Sequence, residues 1–219
     1  MTDLAQLIAT FDARNIPPMS FVMPDGFHAL PVDATADERS TATAEFVRGL
    51  YPGGDGELWQ SAAPFYELVT EAMATAGLAY SAFGLFGLET GGVAHCSFSV
   101  AAYESDHADP DIAAHGILAV LAADPFNDAR WLDLPCGPAV SSIIMREITL
   151  SPDVTATAER EKLLTGQIQI HVPFPTGPYT AVFTIDTAAV DYWGEFCDMT
   201  TAILQTVSFT AARPPTARQ

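Results

Sequence analysis

Basic side chains are scarce in this 219-residue sequence: Lys and Arg number 9 against 27 Asp and Glu, a formal net charge of −18. A surface of that sign repels phosphate backbones and anionic lipid headgroups, so it argues against a nucleic-acid or membrane-surface partner. It suits cationic partners and favours solubility. Cysteine is equally thin. Cys96, Cys136 and Cys197 are odd in number and widely spaced, which describes buried thiols rather than a disulfide framework. No apolar run approaches the roughly 18 residues that a membrane helix needs, and Met1-Thr-Asp3 begins without a basic and then apolar leader. Together these features predict a cytoplasmic protein.

Motifs that commit a chain to a reaction are also missing. H-E-x-x-H, G-x-S-x-G and C-x-x-C do not occur, and Gly53-Gly54-Asp55-Gly56 lacks the Lys-Ser/Thr of a phosphate loop. Asp106, His107, Asp109 and Asp111 gather potential cation ligands within six positions. Their spacing is not that of an EF-hand, and Asp109-Pro110-Asp111 reads as the cap of a helix. No metal and no cofactor are therefore assigned. His95 beside Cys96 resembles a base beside a nucleophile, but neighbours on a strand point to opposite faces. A cysteine–histidine pair would need one of the three thiols to approach a distant ring such as His171.

What is present is a sequence with 49% hydrophobic and 16% charged residues, the balance of a packed globular protein. The clearest pattern lies toward the C-terminus. Ile168, Ile170 and Val172 alternate with Gln167, Gln169 and His171, the period of a strand with one face inward. Pro173-Phe-Pro-Thr-Gly-Pro178 forces a turn, and Tyr179–Ile185 returns as the second strand of a hairpin. A helix begins near Asp186 or Thr187 and buries Val190, Trp193, Phe196, Cys197, Thr200, Ile203 and Leu204. Residues 206–210 read as a last strand and 213–219 as a flexible tail.

Earlier in the chain, Leu4, Leu7, Ile8 and Phe11 make a short amphipathic stripe within an N-terminal segment, 1–18. It would pack on its own domain or join a second subunit. Strands at Phe21–Val22 and Phe27–Val32 flank the turn Pro24-Asp-Gly26, which predicts a hairpin. Thr35 and Glu38 have capping-box spacing for a helix ending near Leu50. A longer helix carries Leu58, Ala62, Phe65, Val69, Met73 and Ala76 at steps of three and four and stops at Gly77. Further strands are expected at 78–89, 93–103, 131–134, 139–150 and 161–172, and a helix capped by Asp109 with Ala114, Ile117, Leu118 and Leu121 inward. The sum is one α+β domain, 19–212, with a mostly antiparallel sheet of about seven strands flanked by helices.

Pro24-Asp-Gly-Phe27, the early helix and the closing strand, turn, strand, helix and Ser-Phe strand over 167–209 resemble a group of acidic proteins of high-GC Gram-positive bacteria. Their layout is similar to the Mog1/PsbP-like α/β/α sandwich, and some sit beside type VII secretion components. The resemblance covers most of the chain and rests on layout. It implies a binding or accessory protein, and no catalytic residue transfers. The long segment before Pro24 departs from that pattern.

The expected function is a non-catalytic cytosolic protein-binding role, as a chaperone, adaptor or immunity-like partner of a secreted protein. Candidate contact residues are Phe174 and Tyr179 at the Pro-rich tip, and Leu4, Leu7 and Phe11, which would also serve a homo-oligomer. The alternative is an enzyme or small-ligand binder with a pocket between sheet and helices, using His95, Ser97 or His171.

Overall fold

The computed structural model describes residues 6–10, 16–89, 91–155 and 157–209. In chain order the strands are β1 (Gln6–Thr10), β2 (Met19–Met23), β3 (Phe27–Ala29), β4 (Leu78–Gly87), β5 (Val93–Glu104), β6 (Asp128–Leu134), β7 (Gly137–Leu150), β8 (Glu161–Pro173) and β9 (Tyr179–Thr187). The helices are α1 (Ala36–Leu50), α2 (Gly56–Thr75), α3 (Pro110–Leu121) and α4 (Trp193–Leu204). β3 to β9 form a seven-stranded antiparallel sheet in the order β3-β4-β5-β9-β8-β7-β6. The α+β single domain expected from the sequence is the one found.

Local chemistry sets the helix starts. The Glu38 carboxylate accepts from the Thr35 N–H at 3.3 Å and the Thr35 side chain from the Glu38 N–H, which forms the capping box of α1; the Thr35 hydroxyl also donates to that carboxylate at 2.7 Å. Asp55 and Asp109 cap α2 and α3 by accepting from the N–H groups of Leu58 and Asp111. Pro110 then occupies the first helical position, where a missing N–H costs nothing.

The sheet has two unlike sides. On the first, Ala82, Cys96, Phe98, Val100, Ile168, Ile170, Val172, Phe183 and Ile185 meet Phe196 and Ile203 of α4 and Phe21 of β2. Phe21 packs against Tyr80, Phe183 and Phe98 with ring centroids 5.5, 5.6 and 5.8 Å apart. Gly166 belongs to the same side: a Cβ there would fall inside the Trp193 ring, so the strand needs glycine to let that ring lie flat against it. On the second side, α1 and α2 cover the β3–β4 end through Phe46 and Tyr66 against Phe83. α3 covers β6, β7 and β8 at the other end. Between them the middle strands present half-buried Ser97, Ser99 and Thr184.

Four expectations need correction. The Pro24-Asp-Gly26 turn exists, with Gly26 at φ 89°, but β2 and β3 do not pair as a hairpin. β2 pairs with β1 and β3 with β4, because Met19, Phe21 and Met23 are drawn into the first-side core and pull β2 off the main sheet. The expected last strand is a single bridge between Ser208 and Ser20 within the described residues. In α2 only part of the predicted inward stripe faces in: Ala62, Val69 and Met73 are half-buried, but Leu58 and Phe65 are 41% and 61% exposed. The buried face is turned by one residue, to Trp59, Tyr66 and Thr70. The Trp59 indole donates to the Tyr51 carbonyl at 3.0 Å and the Tyr66 and Tyr51 hydroxyls meet at 2.9 Å, which orients the helix.

The fourth concerns Phe174, offered at the Pro-rich tip as a contact residue with packing under the sheet edge as the alternative; the alternative is what is found. It is 1% exposed, with its ring 4.4 Å from Phe209 and 6.2 Å from Tyr179. Its position continues the inward row Ile168, Ile170, Val172, and its N–H donates to the Tyr179 carbonyl at 2.8 Å. Tyr179 is half-buried. At the N-terminus, Leu7 lies in β1 opposite Val22, so the chain there pairs with its own domain. Leu4 and Phe11 lie outside the described residues.

A cavity beside the third helix as the candidate functional site

A cavity of about 730 Å³ opens between α3, the segment 103–109 that leads into it, and the second side of the sheet. Its volume falls within the few hundred to a thousand Å³ usual for small-molecule sites. α3 builds one wall. Asp109 starts the helix there, and Ala114 is its fully buried anchor. Ile112, Gly116 and Val120, one turn apart, and Ala113, Ile117 and Leu121 beside them line the cavity. Ile112 and Val120 remain 72% and 74% exposed, an apolar surface that the domain itself leaves uncovered. A Cβ added at Gly116 would meet nothing within 4 Å, so this mid-helix glycine leaves room where any larger residue would take it.

The mouth is held by a directional hydrogen-bond chain. Thr180, fully buried on β9, donates its hydroxyl to Ser105 Oγ at 2.9 Å. His107 reaches Ser105 Oγ through Nδ1 at 2.9 Å and the Phe174 carbonyl through Nε2 at 3.2 Å. A carbonyl oxygen only accepts, so Nε2 carries a hydrogen and donates to Phe174. This chain ties the segment before α3 to the β8–β9 turn. Asp106, between its two anchors, sits at φ 46°, in the left-handed region that few non-glycine residues adopt.

The floor is His171 of β8. Both of its ring nitrogens are buried without a hydrogen-bond partner, and so is Ser142 Oγ on the adjacent strand. Burial holds the His171 pKa below the usual histidine range, so the ring is neutral near pH 7.

The other sequence candidates are dispersed. His95 is exposed and Ser97 half-buried on β5, and neither lines the cavity. Cys96 is 1% exposed and faces away from His95, as strand alternation requires; burial pushes its thiol up to about 12. Burial also raises Cys136 and, with help from Asp198, Cys197. Thiols shifted this way are poor nucleophiles at neutral pH. Among the described residues, Asp106, His107, Asp109 and Asp111 do not converge with one another or with a fifth residue into a metal-binding group. No helix among them is long and apolar enough to cross a membrane.

The cavity itself escaped the sequence reading, which had His171 as a polar strand position but no sign of what faced it. The one local signal is Gly116, a helix-weakening residue in the centre of an otherwise apolar helix.

No protein-family model matches the chain, and neither does any curated protein. Among solved structures it is similar to one described as LpqN, involved in cell envelope biogenesis of Mycobacterium tuberculosis. The TM-score is 0.43 at 10% identity, over 93% of this chain and 90% of that one. At that distance neither a function nor a residue's role carries across.

Proposed function

We propose that this chain is a small-ligand binding protein and that its site is the cavity beside α3. The observation behind this reading is the combination of an apolar wall and a polar rim: Ile112, Gly116, Ile117 and Val120 line the same space as Ser105, Asp106 and His107. Concave apolar space with a few convergent polar groups is the usual form of a ligand site. The test is a native mass spectrum of the protein recovered from its own host, beside the Gly116→Leu variant, designed to fill the space at a position where an added Cβ meets nothing within 4 Å. The wild type is expected to carry a small-molecule increment that the variant has lost. A bare 23.3 kDa chain that also binds no apolar probe would overturn the reading.

A second reading, an accessory role through protein binding, has its own observation in the exposed Leu58, Phe65 and Leu68 on α2. Solvent-facing apolar residues at helical spacing form a face that a partner can cover. In the same spectrum this reading predicts a protein-sized increment that Phe65→Ser with Leu68→Ser removes.

A further inference from the structure

We propose that the α3 cavity selects amphipathic cations, with an apolar chain along Ile112, Gly116 and Val120 and an ammonium-type head at Asp106. The proposal rests on the reading of this cavity as the ligand site and names the class of molecule it takes.

The polar groups around the cavity are asymmetric in sign. Asp106 and Asp109 are its carboxylates, and neither lysine nor arginine lines it. Both nitrogens of His107 are already engaged, by Ser105 and by the Phe174 carbonyl, and His171 is kept neutral near pH 7 by burial. The two carboxylates differ in what they are free to do. Asp109 accepts from the Asp111 N–H at 2.8 Å and is committed to starting α3. The Asp106 side chain has no hydrogen bond or ion pair among the described residues.

Asp106 is also held in place. Ser105 is fixed through Thr180 and through its own N–H to the Pro178 carbonyl at 2.8 Å, and His107 through the Phe174 carbonyl. Tyr103 is half-exposed in the same wall and offers an aromatic face of the kind that attracts quaternary ammonium groups. The net charge of −18 acts in the same direction, concentrating cations at the mouth and repelling anions. The apolar wall needs a chain and the mouth needs a positive head.

Three probes with one eight-carbon chain separate the parts of this proposal: octyltrimethylammonium, 1-octanol and octanoate, titrated calorimetrically into the full-length protein below their micelle-forming concentrations. The ammonium is expected to bind about fivefold or more tighter than the alcohol, which corresponds to a partly exposed charge pair, and octanoate most weakly. The advantage should shrink at high salt and vanish in Asp106→Asn, a substitution compatible with a left-handed backbone, while octanol binding stays unchanged. Equal binding of all three, with sensitivity to Gly116→Leu, would leave the cavity as a ligand site and overturn the charge selection. An ammonium advantage that survives in Asp106→Asn belongs to the net charge and overturns the assignment to Asp106. No binding by any probe, or binding indifferent to Gly116→Leu, overturns the ligand site itself.

Discussion

The two sides of the sheet are made by the same strands and finished differently. On the first side Phe21, Phe98, Phe183 and Phe196 interlock almost without exposure. On the second, α3 covers β6 to β8 while leaving about 730 Å³ open beside it, with unpartnered nitrogens on His171 and an unpartnered hydroxyl on Ser142. Buried polar atoms without partners cost about 1–3 kcal/mol each. A fold that tolerates them on one side must find its stability on the other. The contrast puts the tightest packing on the first side and the open space of the proposed site on the second.

The comparison breaks most readily at Phe183. Its ring is 5.6 Å from Phe21 and 6.3 Å from Phe98, with 1% exposure, so Phe183→Ala should cost about 3–5 kcal/mol. Urea unfolding would show it as a lower midpoint at unchanged slope. A loss below about 1 kcal/mol would mean that the first side is not the cohesive one.

A smaller effect tests the second side through pH. His171 is a histidine whose folded pKa is depressed by burial. Above about pH 6.5 both folded and unfolded chains hold it neutral and it contributes no pH dependence. Below that value the unfolded chain gains a proton that the folded one resists. Stability then falls by at most about 1.4 kcal/mol per pH unit until the folded pKa is reached. Asp106, Asp109 and His107 line the same cavity, so the quantity to measure is a difference. Unfolding free energies of wild type and His171→Leu at pH 7.5 and 5.5 should diverge, the wild type losing more. Parallel pH dependence would show that His171 titrates as an exposed ring.

How much of this was legible in the sequence follows from how local each cause is. The β8–β9 hairpin, the capping box at Thr35 and the Asp109-Pro110 start of α3 each depend on residues close together in the chain, and each was readable there. Phe174 was readable too, since its parity continues Ile168, Ile170 and Val172; the prolines around it suggested that the strand had already ended. The α2 stripe was misleading for a different reason. Two apolar faces were available, one residue apart, and the choice was made by Tyr51 and Phe83, which belong to other elements. β2 left the expected hairpin because β1 and the core claimed it, again a long-range cause. The cavity is the extreme case. It is defined by the distance between α3 and a strand some 50 positions later in the chain, and no spacing rule encodes that.

Gly116 gives the smallest effect and the one most specific to the open side. A glycine in a helix interior is less favourable than alanine by about 0.5–1 kcal/mol, because the unfolded backbone is freer and the helix gains no side chain. In a packed wall this substitution would introduce a clash that cancels the gain. At Gly116 an added Cβ meets nothing within 4 Å, so Gly116→Ala should raise stability by about 0.5–1 kcal/mol. For a chain of this size that is an increase of roughly 1–4 °C in Tm, measurable by calorimetry. The methyl group removes little of the cavity, so octyltrimethylammonium binding should persist in Gly116→Ala and disappear in Gly116→Leu. A destabilised Gly116→Ala protein would show that the space beside α3 is filled by the domain itself, and the distinction between a sealed and an open side would fall with it.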